Sequence, residues 1–267
     1  MAMFIVKPWY AKKKKEYKGI WVPKTWLGTD NINGYYIWTD GENIYYSNGT
    51  TQKVLNKATS TWSDKTWYNM TSFYGYNIWE LNGEILYSSG STQKRLVKSN
   101  SSWYDKTWVD LTSFYGTSIW TDGTDFYYSY GTSYQKVLTI NPQGGYLNKW
   151  IDKTWNGNKA FSGTDLWKDG QTVYMSTPSW QNILDKATST WVNKSWNGLT
   201  KFYAGNVWTD GVDIYYSDNE TQYVLNRATS TWVPKSWSGL TSFPASRIWT
   251  DGENIYYSYN GTNYQLT

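Results

Sequence analysis

The chain has 267 residues and neither cysteine nor histidine, which excludes disulfides, thiolate metal sites and the commonest general base and metal ligand. Its 20 Trp and 26 Tyr carry most of the apolar mass, so the core must be built of aromatic rings, each burying about 150–250 Å². The formal charge of +4 is uneven: residues 1–19 hold Lys7, Lys12, Lys13, Lys14, Lys15 and Lys18 against Glu16 alone, a net +5 that leaves the remainder near neutral at −1. A basic arm on a neutral body is not the charge pattern of a nucleic-acid platform.

Residues 1–17 follow no repeat. Phe4-Ile5-Val6 reads as a short strand and Ala11 to Glu16 as a solvated arm. The opening residues are too short and wrongly ordered for a signal peptide, and no stretch is long and apolar enough to span a membrane. From residue 18 onward a three-Trp spacing recurs six times. The first Trp is Trp21, Trp62, Trp103, Trp150, Trp191 and Trp232; the second lies five residues on, at Trp26, Trp67, Trp108, Trp155, Trp196 and Trp237; the third is Trp38, Trp79, Trp120, Trp167, Trp208 and Trp249. Only Trp9 and Trp180 fall outside the register.

One unit is easily read. Ile37-Trp38 leads through the turn Thr39-Asp40-Gly41-Glu42-Asn43 to a strand at Ile44–Ser47. Asn48-Gly49 turns into Thr51–Leu55, and Asn56 to Ser60 turns into a fourth strand at Thr61-Trp62. Four short antiparallel strands in 41 residues, with no helical period, describe one propeller blade. The third Trp steps by 41, 41, 47, 41 and 41, the long step coming from one residue before Gln135 and five around Asn141 to Gly145. An insertion on a turn should leave the sheet undisturbed. In the second unit Glu80-Leu81-Asn82-Gly83 moves the turn dipeptide by one place, which predicts a shifted hairpin register. The last unit stops at Thr267 without its Trp-x4-Trp strand, and the chain begins with a spare one. The expected fold is therefore all-β: a six-bladed β-propeller of four-stranded antiparallel blades over 18–267, closed by an N-terminal strand that completes the last blade.

The repeated Trp fit packing between blades first and sugar stacking second. A spacing of five along a strand reverses the face, so the rings of a unit cannot all point one way. Lys24, Lys65, Lys106, Lys153, Lys194 and Lys235 each precede Thr/Ser-Trp and should form a ring. Their stems are expected to lie over Trp with the ammonium in water; the sharper reading makes them, with the extra Trp180, contacts for a glycan or anion. Asp40, Asp122, Asp210 and Asp251 read as turn residues, and a calcium ring is disfavoured because Leu81 and Lys168 interrupt it. No catalytic residue, metal site or cofactor is expected. A glycosidase needs two carboxylates in unequal environments, and the units depart little from one another.

The strings Asn56-Lys57-Ala58-Thr59-Ser60-Thr61-Trp62, Asp185 to Trp191 and Asn226 to Trp232 resemble the third-to-fourth-strand turn of Kelch repeats. The Kelch double glycine is missing from every unit, so the likeness speaks for the fold and not for an adaptor function. The turn also sits where sialidases carry an Asp-box, without its Asp and Gly pattern. Over 18–267, the recurring Ile-Trp-Thr-Asp-Gly…Ile-Tyr-Tyr-Ser and Ala-Thr-Ser-Thr-Trp…Lys-Ser/Thr-Trp strings resemble the Kelch-like β-propeller virion proteins of phages and prophages of Gram-positive bacteria. That resemblance implies a non-enzymatic tail, baseplate, fibre or capsid-decorating protein, made in the bacterial cytoplasm and present in many copies in the virion. Residues 1–17, with Lys7, Trp9, Lys12, Lys13, Lys14 and Lys15, would be the arm that docks on other virion proteins. The alternative is a lectin-like module for host-surface carbohydrate, and a glycoside-acting enzyme ranks last. Neither nucleic acid nor membrane is an expected partner.

Overall fold

The computed structural model describes residues 16–29, 31–140 and 146–267, with the side chains of Ile140, Tyr146 and Leu147 excepted. It is a ring of six four-stranded antiparallel sheets, blades I to VI. Blade I contains Ile37–Thr39, Ile44–Gly49, Thr51–Asn56 and Thr61–Asp64, from the innermost strand outward. The innermost strands of blades II to VI begin at Ile78, Ile119, Leu166, Val207 and Ile248. Blade VI takes its outermost strand from the other end of the chain: Trp21–Pro23 pairs with Thr262–Leu266, Trp21 opposite Leu266 and Pro23 opposite Tyr264. The expected closure is thus observed.

Each blade is a wedge of sheet, and the gaps between wedges hold the core. Three Trp meet in each gap, and they come from three positions of the repeat. Between blades I and II, Trp38 of the first blade, Trp67 of the link and Trp103 of the second blade lie with ring centroids 5.6, 6.1 and 6.0 Å apart. Phe73 of the link closes the group at 5.3 Å from Trp103. The spacing of five does reverse the face: Trp62 packs in the gap before blade I and Trp67 in the gap after it. All eighteen register Trp are buried, none more than 6% exposed. The second strand is buried on both sides for the same reason, which explains four consecutive buried residues at Ile44, Tyr45, Tyr46 and Ser47.

The links hold the ring at its rim and at its axis. The Leu27 N–H donates to the Ser60 oxygen and the Leu27 oxygen accepts the Trp62 N–H, so the start of each outermost strand is met by the preceding link. Gly28 passes this point with φ of 81°, and a Cβ there would lie 2.0 Å from the Trp62 carbonyl oxygen. Near the axis, single 3₁₀ turns precede the innermost strands at Gly34–Tyr36, Gly75–Asn77, Gly116–Ser118, Gly163–Asp165, Ala204–Asn206 and Ala245–Arg247. Each touches the next, and the last touches the first.

Two details of the sequence reading need correction. The hairpin of blade II keeps the common register, with Trp79 opposite Leu86 as Trp38 is opposite Tyr45. Asn82-Gly83, at φ of 51° and 82°, simply tightens the turn and adds the pair Leu81 and Glu84. In blade IV, Asp169 and not Lys168 occupies the place of Asp40, since Trp167 pairs with Tyr174. The insertion of blade III behaves as expected: Leu138 still faces Trp150 as Leu55 faces Trp62, and the register shifts only beyond it.

Candidate functional site

Most repeated polar groups are engaged inside the ring. The third Trp of every unit donates its indole N–H to the Ser nine residues on, from Trp38 to Ser47 at 2.8 Å through Trp249 to Ser258 at 3.0 Å. Sequence reasoning missed this role of the Ile-Tyr-Tyr-Ser serine. The turn aspartates are equally committed: Asp40 Oδ1 accepts the backbone N–H of Glu42 and Asn43, and Oδ2 accepts the Tyr45 hydroxyl at 3.0 Å. The pattern recurs at Asp122 with Tyr127, Asp210 with Tyr215 and Asp251 with Tyr256. Burial, and then the adjacent carboxylate, hold these four phenols well above the usual tyrosine range.

The six ring lysines lie half-buried where each outermost strand passes into its link. Every ammonium sits over the Trp two residues on, 4.7–5.1 Å from the ring centroid. Lys24, Lys65, Lys153 and Lys194 also donate to Ser60, Ser101, Ser189 and Ser230 at 2.7 Å, and Lys106 reaches Glu84 at 3.1 Å. They are spread around the rim and do not converge on one site. A second set of cations, in the third-to-fourth-strand turns, straps neighbouring blades. Lys57, Lys98 and Lys186 donate to the backbone oxygens of Asp251, Asp40 and Asp122, and Arg227 pairs with Asp169 at 2.8 Å. The recurring basic residue after Asn/Asp in Asn-Lys-Ala-Thr was the available signal. Lys7, Trp9, Lys12, Lys13, Lys14 and Lys15 lie outside the described residues; of the arm, Tyr17 rests on blade VI with its hydroxyl 3.3 Å from the Glu253 oxygen.

An asymmetric group of aromatic side chains lies on the face that carries the links and the second-to-third-strand turns. Around the axis, blades I and II contribute Tyr35, Tyr36, Tyr74 and Tyr76, with rings 5.0–5.9 Å apart. The Arg247 guanidinium lies 5.5 Å from the Tyr35 ring and 4.7 Å from that of Tyr259. Burial pushes the Tyr35 hydroxyl up to about 12, with smaller contributions from Tyr76 and Tyr36. Thr117, Thr164 and Gly205 stand where Tyr35 and Tyr76 stand, so an aromatic arc faces a small-residue arc across the axis. Asp165 lies on that second arc, its carboxyl raised by burial although it accepts the Ser162 N–H at 2.8 Å.

Trp180 is on the same face, in the second-to-third-strand turn of blade IV, and is 47% exposed. It borders a hollow of about 470 Å³ with Asn158, Lys159, Asn182, Trp191 and Asn193. None of the eight residues lining that hollow is a carboxylate.

These features define an aromatic propeller with an asymmetric aromatic group on one face. The chain matches no protein-family model and no curated protein. Solved structures similar to it include extracellular domains from B. thetaiotaomicron. The extracellular domain of BT4673, described as a one component system, superposes with a TM-score of 0.56 at 10% identity over 95% of this chain and 43% of that one. A second structure of BT4673, described as a hybrid two component system, gives 0.53 at 9% identity, covering 96% and 43%. The extracellular domain of BT3049, also a hybrid two component system, gives 0.50 at 12% identity, covering 95% and 35%. The chain spans less than half the length of each, and the likeness is one of fold. Among the described residues no helix is long and apolar enough to cross a membrane.

Proposed function

We propose that this chain is a non-enzymatic structural and interaction protein of a phage or prophage particle, a propeller displayed in many copies and joined to its neighbours through residues 1–17. The observation that carries the interaction half is the contrast just described. The repeated Ser and turn Asp side chains and the rim lysines are held within and between blades, whereas an asymmetric aromatic group lies on one face, as a recognition surface requires. The virion half rests on the repeat strings of 18–267 and on the basic charge of the arm. Deleting residues 1–17 should leave a ring with unchanged circular dichroism that is missing from purified particles of a producing strain. Full incorporation of the truncated chain would refute the role of the arm.

One observation favours a second reading, recognition of host-surface carbohydrate: Trp180 is the sole Trp among the described residues that is not buried, and it stands beside a polar hollow. A glycoside-acting enzyme draws no support from that hollow, which lacks the carboxylate pair such chemistry needs.

A further inference from the structure

The hollow of blade IV collects several departures from the repeat. The common register allows each lining position to be compared with its counterparts. Asn158 stands where the other links have Thr29, Met70, Leu111, Leu199 and Leu240, and Trp180 stands where the other blades have Thr51, Thr92, Tyr134, Thr221 and Thr262. In blades I to III the two outermost strands are joined by the ion pairs Lys53–Asp64, Lys94–Asp105 and Lys136–Asp152, at 2.7–2.8 Å. Blade IV has Asn182 and Asn193 at those positions, bonded at 3.2 Å. Four separate departures from the repeat, 35 residues apart in sequence at their extremes, therefore line one cavity.

The chemistry of the replacements is consistent. A long cation and a carboxylate give way to two shorter neutral amides, which empties space and removes charge. A link residue that is apolar in four of the other five links becomes a third amide, Asn158, with its Nδ2 3.2 Å from Met175 Sδ and its Oδ1 accepting the Ala160 N–H at 3.1 Å. A turn residue that is Thr in four blades and Tyr134 in blade III becomes an exposed indole. Asn182 is only 5% exposed, and its Oδ1 has no hydrogen-bond partner within the protein. Amides donate and accept at once, as adjacent hydroxyls do, and an indole face suits the apolar C–H face of a ring.

We propose that this hollow binds one neutral hexopyranose unit, with Trp180 as the stacking platform and Asn158, Asn182 and Asn193 bonded to its hydroxyls. The volume of about 470 Å³ lies within the usual range for small-molecule sites. The inference deepens the carbohydrate reading given above and is independent of the virion reading.

The test uses the full chain and saturation-transfer NMR with methyl hexopyranosides: glucoside, galactoside, mannoside and N-acetylglucosaminide, with a glucuronide as the anionic arm. At least one neutral glycoside should bind with a Kd of about 1 mM. Trp180→Ala should weaken it at least tenfold. The double variant Asn182→Lys, Asn193→Asp, which gives blade IV the ion pair of blades I to III and fills the hollow, should abolish binding with circular dichroism and Tm preserved. Absence of binding at about ten times that concentration, binding of the glucuronide alone, or binding that survives both variants would each overturn the proposal. Particle incorporation is scored separately: a chain that enters particles but binds no glycoside overturns only this inference, and the reverse result overturns only the virion reading.

Discussion

Removing Trp21 and Trp26 together tests how the ring closes. Trp21 lies in the strand that completes blade VI, with ring centroids 6.3 Å from Trp208, 6.1 Å from Trp237 and 5.2 Å from Phe243. Trp26 lies in the next gap, 6.1 Å from Trp62, 5.4 Å from Trp249 and 5.1 Å from Tyr256. The two share no ring partner, so their effects should add. Each buried Trp→Ala costs about 3–5 kcal/mol, giving about 6–10 kcal/mol for the pair against about 5–15 kcal/mol for a whole domain. Trp180→Ala, on an exposed ring, should change stability by about 0.5 kcal/mol or less. The assay is urea unfolding followed by near-UV circular dichroism, with Trp103→Ala, Trp108→Ala as the same lesion in a chain-continuous unit. Hydrogen exchange adds a local readout: without Trp21 the strand Thr262–Leu266 becomes an edge, so blade VI should exchange faster while blades II to IV stay protected. Should the Trp21, Trp26 pair lose no more than Trp180→Ala, the pairing of the N-terminal strand with blade VI is wrong.

Ser47→Ala leaves the Trp38 indole N–H buried without its 2.8 Å acceptor and should lower stability by about 1–3 kcal/mol, read as a fall in Tm; an unchanged Tm would show that the bond contributes nothing. Alkaline pH should unfold the ring. Tyr35 and Tyr128 are pushed up to about 12, and Tyr45, Tyr127, Tyr215 and Tyr256 are also raised, so the folded state keeps protons that the unfolded chain releases near 10. Their stabilisation is complete below pH 10 and is lost as the pH rises through 12. Tyrosinate absorbance from these residues should therefore appear together with loss of near-UV circular dichroism, and reversible ionisation at pH 10 in an intact ring would contradict the assignment.

The blades were legible because the Trp spacing is periodic and because the missing last strand and the spare first one match. What escaped were roles set by the gaps between blades. Ser47 follows three strand residues and looks like a solvent position, but a strand enclosed by two gaps is buried on both sides, and there a hydroxyl becomes an acceptor for Trp38. Lys57 and Lys98 look like ordinary turn cations until the neighbouring blade brings a backbone oxygen to each. The shifted turn dipeptide of blade II was read as a register change, yet Trp79 is fixed by its gap and only the loop beyond Leu81 was free to adjust. Trp180 stood out as unregistered, but Asn182 did not, since its meaning depends on the Lys–Asp pairs at the same position in three other blades.

The edges of the blades constrain how any partner can be recognised. A protein rich in short strands could join its neighbours by adding strands to free edges. Here each outermost strand is three or four residues long in all blades but the third, and its first Trp N–H is already bonded to the preceding link, from Leu27 with Trp62 to Ser238 with Trp21. The last blade, which would otherwise expose Thr262–Leu266 as an edge, is completed by Trp21–Pro23. With backbone edges shortened and met by links, recognition falls to side chains, such as those on the face bearing Tyr35, Tyr76, Arg247 and Trp180. A ring that keeps its repeats for packing can vary residues such as Trp180 and Asn193 without disturbing the Trp gaps, because they lie outside the three-Trp clusters.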